Sequence, residues 1–187
     1  MSDAVSALAG VRASGMVDLA DAGLQGMITL RGDLSSATLA EAVRSATGAD
    51  VPARRRVATG STGQALWMSP DELLLIVPYA QVGATVAALE TALAGAFAMA
   101  ANVSDARAMV AITGAQARDV LAKLCPVDFS DFAVGELRRT RAAQVAAAIW
   151  REGEDDWRLV CFRSVAGYVW GALATVAQPG GEVGLYR

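Results

Sequence analysis

The stretch from Leu73 to Val77, Leu-Leu-Leu-Ile-Val, decides the fold. It is apolar at every position and is followed by Pro78, which predicts a strand covered on both faces. Ser69-Pro70-Asp71 before it is typical of a type I turn. After it, apolar residues at helical spacing predict an amphipathic helix. These residues are Val82, Val86, Leu89 and Leu93.

Upstream, the same reasoning predicts further elements. Gly26 to Arg31 has the composition of a strand, and Ser35 to Gly48 that of a helix. Thr38-x-x-Glu41 has the spacing of a capping box, and Gly48 lies where a helix-ending glycine belongs. Short strands are predicted at residues 56–59 and 64–68, and we expect Trp67 and Leu73 to Val77 to lie in the core.

The second half of the chain repeats this plan. Leu30-Arg31-Gly32 is matched in the second half by Ile112-Thr113-Gly114, and Trp67 is matched by Trp150. The helical stripe recurs as Val165, Val169, Ala172 and Val176. The distance along the chain between the matched residues is nearly the same in all three cases. A near-constant offset through elements in the same order indicates two similar α+β units.

The predicted fold is therefore α+β: two similar units of mixed, mainly antiparallel sheet with helices packed on one face. We assign residues 21–96 to the first unit and 97–177 to the second. Residues 1–20 are predicted to be a loose arm and 178–187 a loose tail. Residues 98–103 and 107–113 are predicted to form a hairpin, and Ser164 is predicted to cap the last helix.

The composition excludes several classes of chemistry. The 187 residues include no histidine and only two cysteines, and the net charge is −3. Triads and metal sites that depend on imidazole are therefore excluded, as is a disulfide framework. Neither a dinucleotide-binding glycine motif nor a P-loop occurs. The mildly acidic balance argues against nucleic acid, and the longest apolar stretch is too polar to span a membrane.

The remaining candidates for chemistry are weak. The pair Asp71-Glu72 is favoured as an exposed turn over an acid–base pair. The acidic residues between Glu152 and Asp156 are favoured as a solvated hairpin tip over a cation site. Cys125 is favoured as an apolar helix cap over a reactive thiol. Arg54-Arg55-Arg56 is either a solvated loop or a contact for an acidic partner or anion.

Four strings of the sequence resemble the gamma subunit family of heterotetrameric sarcosine oxidases, and the resemblance covers most of the chain. They are Ile28 to Asp33, Ala65 to Leu74, Gly114 to Lys123 running into Cys125-Pro126-Val127-Asp128, and Arg163 to Trp170. One departure is Asn102-Val103-Ser104, where the family often has Asp-Val-Ser.

The resemblance implies a fold similar to the tetrahydrofolate-binding aminomethyltransferases. It also implies a complex that oxidises sarcosine to glycine, with hydrogen peroxide and with formaldehyde or methylene-tetrahydrofolate as products. In that family FAD, FMN, NAD and zinc belong to other subunits, and the gamma subunit carries no catalytic residues. The expected partners are the alpha, beta and delta subunits, in the cytoplasm.

Two alternatives remain. A stand-alone tetrahydrofolate-binding protein resembles this chain in fold, but its Lys-Gly-Cys-Tyr-x-Gly-Gln-Glu motif is absent here, since Pro126 follows Cys125. A complete aminomethyltransferase is about twice as long. For the subunit interpretation we expect the interface to include Tyr168, Trp170 and the triplet Arg54, Arg55 and Arg56, with the N-terminal arm as a second anchor.

Overall fold

The computed structural model describes residues 4–186 and divides the chain into two compact units. The central unit runs from Leu24 to Ser104. The terminal unit combines the residues up to Gly23 with those from Asp105 onward. Each unit has its own cluster of buried apolar side chains.

The central unit is a five-stranded antiparallel sheet with two helices. Its strands are β3 (Gln25–Arg31), β4 (Val57–Thr59), β5 (Gln64–Ser69), β6 (Glu72–Pro78) and β7 (Met99–Asn102), in the spatial order β4-β5-β6-β3-β7. Its helices are α1 (Ala37–Thr47) and α2 (Val82–Ala92), and their buried residues join those of β3 and β6 in one core.

The terminal unit has the same plan with one further strand. Its strands are β1 (Arg12–Ser14), β2 (Asp18–Asp21), β8 (Arg107–Thr113), β9 (Leu137–Ala142), β10 (Val145–Arg151) and β11 (Asp156–Phe162), in the spatial order β9-β10-β11-β8-β2-β1. Its helices are α3 (Ala117–Ala122) and α4 (Ala166–Val176). Apart from that added strand the two sheets correspond strand for strand, and the α+β fold with antiparallel sheets is confirmed.

In each sheet an inner strand, β3 or β8, pairs with a strand from the other half of the sequence. Strand β2 precedes β3 in the chain but pairs with β8, and β7 precedes β8 but pairs with β3. The predicted hairpin of residues 98–113 is therefore wrong, because its two strands belong to different sheets. The boundaries also differ from residues 21–96 and 97–177, since the chain passes between the units near Gly23 and Ser104.

The N-terminal segment differs from the predicted loose arm of residues 1–20, whose first three residues lie outside the described part. Asp18 pairs with Thr113 and Asp21 with Val110, so the segment completes the edge of β8. The Asp21 carboxylate accepts hydrogen bonds from the backbone N–H groups of Gly10 and Gly23, at 2.9 and 3.2 Å. Leu8, Met16, Val17 and Leu19 are buried in the core of the terminal unit. These anchors could not be predicted, because the alanine- and glycine-rich segment shows no helical or strand periodicity.

The described part of the predicted tail, residues 178–186, forms neither helix nor strand but is held in place. The Asp119 carboxylate accepts hydrogen bonds from the N–H groups of Gly184 and Tyr186, each at 3.2 Å. Lys123 Nζ donates to the carbonyl oxygens of Val176 and Gly181, at 2.9 and 2.6 Å. The tail is thus irregular and anchored, whereas the sequence predicted a loose segment.

The helix ends follow the prediction in part. Gly48 adopts φ +71°, and its N–H donates a hydrogen bond to the Arg44 carbonyl, as expected of a helix-ending glycine. The N-cap of α1 is Ser36, which accepts from Leu39 N–H, so the Thr38-x-x-Glu41 capping box is wrong. Ser164 lies in a 3-10 turn and makes no cap hydrogen bond to α4.

The buried stripe of α4 also differs from the predicted one. Its buried positions are Ala166, Val169 and Leu173, and Ala177 directly after the helix is buried as well. The residues of α4 therefore match those of α2 one position further along the chain than the apolar pattern predicted. The 3-10 turn of residues 163–165 before α4 matches the turn of residues 79–81 before α2. The matched buried pairs, Val82 with Ala166 and Leu89 with Leu173, fix this register.

Strand β6 is buried throughout from Leu73 to Val77, which confirms the prediction that opened the analysis. Trp67 is only half-buried and belongs to neither core cluster, so its assignment to the core is wrong. A β-bulge between Trp67 and Ser69 interrupts the pairing of β5 with β6 beside it. Trp150, its sequence match, is fully buried and donates from Nε1 to Glu152 at 2.7 Å.

The aromatic core of the terminal unit is built around Trp157. Its ring lies 4.8 Å from that of Phe132 and 5.7 Å from that of Phe129. Tyr186 meets Phe129 edge-on at 6.0 Å. Such tilted and edge-on pairs add to the stabilisation that burial alone gives.

Trp157→Ala should lower the free energy of unfolding by about 3–5 kcal/mol, because it opens a cavity in this cluster. Trp67→Ala is the matched control and should cause a clearly smaller loss, since that ring is half-buried. Urea unfolding followed by circular dichroism measures both. Equal losses in the two variants would contradict the placement of the core.

Candidate subunit interface

Tyr168 and Trp170 lie on α4 of the terminal unit and face different surroundings. The Tyr168 side chain is 48% exposed. Trp170 is partly buried and packs against the unit's own core, in the position that Val86 occupies on α2. Of the two predicted anchors, Tyr168 therefore offers the more open contact surface.

The arginine triplet lies in the central unit, in the turn before β4. Arg54, Arg55 and Arg56 are all exposed. The turn is fixed by two backbone bonds, from Arg56 N–H to the Ala53 carbonyl at 3.0 Å and from Trp67 N–H to the Arg56 carbonyl at 3.1 Å. Arg55 has φ +62°, a conformation that side-chain-bearing residues rarely adopt. Three guanidinium groups thus project from an ordered turn, and they belong to a different unit from Tyr168 and Trp170.

The N-terminal arm is not a free anchor for a partner. Strands β1 and β2 complete the sheet of the terminal unit, so removing residues 1–20 would remove two strands together with the core side chains that they carry.

The central unit carries an apolar surface that the sequence did not single out. Phe97 is fully exposed and Met99 is 49% exposed. They border a cavity of about 560 Å³, and we call its lining the Phe97 surface. It comprises Arg31, Gly32, Asp33, Asp71, Phe97, Ala98 and Met99. The only signal in the sequence is one phenylalanine among small residues after Gly95, and exposure cannot be read from residue type.

The Asp71-Glu72 pair borders this surface and is only half exposed, contrary to the prediction of an exposed turn. Glu72 is buried and accepts from the Arg31 guanidinium at 2.7 Å. Asp71 is open to solvent and lies 3.9 Å from the same guanidinium. Arg31 thereby neutralises the buried carboxylate, which would otherwise be costly to desolvate.

The acidic turn after β10 is held by the chain's own donors. Arg151, which is buried, donates to the Glu154 carbonyl and forms an ion pair with its carboxylate at 2.9 Å. Asp156 pairs with Arg158, and Glu152 accepts from the Trp150 indole. Within residues 4–186 no three histidine, cysteine, aspartate or glutamate side chains are grouped so that they could hold a metal ion.

Both cysteines are buried and reduced. Burial raises the pKa of Cys125 to about 12. Burial also raises the pKa of Cys161 to about 11, although the nearby Arg107 charge acts in the opposite direction. Reactive thiols have lowered pKa values and some access to solvent, so Cys125 fits the apolar cap that the sequence favoured.

None of the helices in the described part of the chain has both the length and the apolar character needed to cross a membrane.

Comparison with protein families identifies the chain. Residues 31–178 match the model of the sarcosine oxidase, gamma subunit family. The chain belongs to this family. A sarcosine oxidase subunit gamma from Corynebacterium sp. strain U-96 is 32% identical over 157 residues, which cover 82% of this chain and 74% of the relative. One from strain P-1 is 35% identical over 140 residues, covering 72% of this chain and 66% of the relative.

Solved structures include a chain of a sarcosine oxidase and a more distant protein that has the same fold. A chain of the heterotetrameric sarcosine oxidase from Corynebacterium sp. U-96, in complex with pyrrole 2-carboxylate, superposes with a TM-score of 0.79 at 28% identity. The match covers 89% of this gamma-family chain and 87% of that one. The glycine cleavage system aminomethyltransferase T from Bartonella henselae matches with a TM-score of 0.67 at 16% identity, over 89% of this chain and 47% of its own. This second likeness shows a shared fold.

The two thiols should stay unreactive toward Ellman's reagent at pH 8 until the protein unfolds. With a pKa of about 12, only about one Cys125 in 10,000 is a thiolate at that pH, and burial also blocks access. Both should react in guanidinium chloride.

The raised thiol pKa values also make the free energy of unfolding depend on pH. The unfolded thiols ionise above their ordinary pKa of 9.0, while the folded ones stay neutral until the pH approaches about 11 for Cys161 and about 12 for Cys125. The free energy of unfolding should therefore fall as the pH rises from 9 toward 12. Rapid labelling of the native protein at pH 8 would contradict this account of the thiols.

Proposed function

We propose that this chain is a non-catalytic gamma subunit of a heterotetrameric sarcosine oxidase. The observation that carries the proposal is the match to a chain of such an oxidase along 87% of that chain's length. The complex would oxidise sarcosine to glycine, with hydrogen peroxide and with formaldehyde or methylene-tetrahydrofolate as products. Its location would be the cytoplasm.

The chemistry of the residues supports the non-catalytic part of this proposal. The chain has no histidine, and burial raises the pKa values of its two thiols. Three carboxylates of the acidic turn, those of Glu154, Asp156 and Glu152, are engaged by Arg151, Arg158 and Trp150 respectively. In this proposal FAD, FMN, NAD and zinc are bound by the alpha, beta and delta subunits, and the gamma subunit contributes surface and structure.

The side chain of Asn102 supports a structural role at the position where the family often has aspartate. Its Oδ1 accepts hydrogen bonds from Ser104 N–H and Ser104 Oγ, at 3.0 and 2.6 Å. Ser104 Oγ in turn accepts from Met27 N–H at 2.9 Å. This network orders the end of the central unit, where the chain leaves it. The alternative, a stand-alone tetrahydrofolate-binding protein, rests on fold likeness alone.

The purified chain should be colourless and should not oxidise sarcosine, whereas the complex that contains it should be yellow and active. Absorbance between 350 and 500 nm and an assay for hydrogen peroxide measure the two properties. A flavin band that stays with the isolated chain through gel filtration would overturn the assignment of the flavins to other subunits. Saturable binding of tetrahydrofolate to the isolated chain would favour the stand-alone alternative.

We also propose that Tyr168, Trp170 and Arg54 to Arg56 contact other subunits. Tyr168→Ala and Arg54→Glu should each reduce recovery of the chain with co-expressed oxidase subunits, because exposed tyrosine and arginine often dominate binding. Melting temperatures of the isolated variants should be unchanged, since both side chains are exposed.

Two further variants sharpen this test. Arg141→Glu, at an exposed position of β9, is the matched charge control and should be recovered normally. Trp170→Ala should lower the melting temperature of the isolated chain as well as recovery, because that ring packs on the core. Normal recovery of Tyr168→Ala and Arg54→Glu would place the contact elsewhere.

A further inference from the structure

Phe97 is held in an exposed position by an ordered loop. Between α2 and β7, backbone bonds join Ala96 N–H to the Leu93 carbonyl and Ala98 N–H to the Ala96 carbonyl, each at 2.9 Å. The second bond spans Phe97, so this residue lies at the apex of a three-residue turn. A large apolar side chain that is fully exposed on a fixed turn has no role in the core of its own unit.

The duplication supplies an internal reference for this position. Gly32 approaches the loop so closely that an added Cβ would lie 3.2 Å from the Ala98 Cβ and 3.5 Å from the Phe97 carbonyl oxygen. Its sequence match, Gly114, makes the same approach to Val17, at 3.4 Å. Val17 therefore corresponds to Ala98, and Met16 corresponds to Phe97.

In the terminal unit the corresponding position is covered. Met16 is only 9% exposed, and a Cβ on Gly181 of the tail would lie 3.9 Å from its sulfur. Lys123 and Asp119 of the α3 segment tie the tail down through backbone hydrogen bonds. An irregular segment, residues 178–186, thus lies beside Met16, and Lys123 contacts both the Met16 sulfur, at 3.7 Å, and the Gly181 carbonyl oxygen, at 2.6 Å.

The central unit has no such covering segment among its described residues. The helix that corresponds to α4 is α2, and it is followed directly by the Phe97 loop instead of by a tail. A cavity of about 560 Å³ and a second cavity of about 340 Å³ both border this loop, and Ala98 and Met99 line both of them. Space for an added segment is therefore present where the terminal unit has its own.

The charges around the cavity favour a basic occupant. Asp33 and Asp71 both line it and are exposed, and hydrogen bonds from Ser35 hold the pKa of Asp33 below its usual range. The one cation of the lining, Arg31, pairs with the buried Glu72 at 2.7 Å and also lies 3.9 Å from Asp71. Asp33, Asp71 and Glu72 against Arg31 leave an excess of negative charge beside the apolar ridge of Phe97 and Met99.

We propose that the Phe97 surface receives an irregular or extended segment of another subunit of the oxidase, with an apolar side chain against Phe97 and Met99 and a lysine or arginine facing Asp33 and Asp71. This proposal rests on the proposed function, because it takes the partner from the same complex. In the central unit, this partner segment takes the place that the tail has beside Met16 in the terminal unit.

Competition during assembly tests the proposal in the intact complex. Tagged wild-type chain and an untagged variant are co-expressed with the other subunits, and their ratio is measured in the purified oxidase by mass spectrometry. Phe97→Asp should be under-represented by at least about tenfold, as expected for the loss of a binding hot spot. Asp71→Lys should also be under-represented, because it reverses the charge that faces the partner.

Matched controls separate binding from folding. Val134→Asp places a charge at another exposed apolar position, and Asp131→Lys reverses another exposed carboxylate, so both should enter the complex as wild type does. The isolated Phe97→Asp chain should keep the wild-type melting temperature. Equal incorporation of Phe97→Asp and wild type would overturn the proposal, whereas failure to recover even the wild-type chain would instead overturn the proposed function.

A cross-linking experiment identifies the occupant. Benzoylphenylalanine introduced at position 97 should, on irradiation of the complex, form a cross-link to a peptide of another subunit that carries lysine or arginine near the link. A cross-link between two copies of this chain, or an absence of cross-links in a complex that contains the probe, would overturn the proposal.

Discussion

The inner strands β3 and β8 each have one edge whose backbone N–H and C=O groups need a partner strand, and the chain supplies both partners by exchange. Strand β2 pairs with β8, and β7 pairs with β3, although each adjoins the other inner strand in sequence. Leaving such an edge bare would expose a row of hydrogen-bonding groups that favours aggregation. The exchange closes both edges within one chain, and it makes the terminal unit discontinuous in sequence, since residues up to Gly23 join those from Asp105 onward.

Prediction from the sequence succeeded where the signal is local and does not depend on this exchange. Strand β6 and the glycine at the end of α1 were predictable because their signals are local: an unbroken apolar run and a residue type that tolerates positive φ. The duplication was also predictable, since matched strings such as those ending at Gly32 and Gly114 recur in the same order at a nearly constant offset, and the two glycines make the same close approach in the structure. Local signals, repeated in order, were enough to give the fold class.

Prediction failed where pairing depends on residues distant in sequence. Strands β7 and β8 are close in the chain and were expected to form a hairpin, but no local feature of residues 98–113 shows that each pairs elsewhere. The N-terminal segment shows no helical or strand periodicity in its sequence, because single residues hold it in place. Asp21 does so by accepting backbone hydrogen bonds, and Leu8 and Leu19 do so by burial in the core. Trp67 was predicted to be buried because of its residue type. In the structure it is half-buried, and a β-bulge lies directly after it in the strand. The candidate interface was found only in part, because type and spacing gave Tyr168 and the arginine triplet but not the exposure of Phe97.

The two units have diverged in what they bury, and this divergence bears on assembly. The terminal unit packs Phe129, Phe132 and Trp157 into its core, and its tail lies beside the buried Met16. Within the described residues, the core cluster of the central unit is aliphatic throughout, and its aromatic residues Trp67, Tyr79 and Phe97 lie outside that cluster. Aromatic rings left out of a core still gain free energy when they are buried, so they favour association with another surface. In this duplication one unit buries its aromatic side chains in its own core, whereas the other keeps them at or near the surface, where burial against another surface would stabilise them.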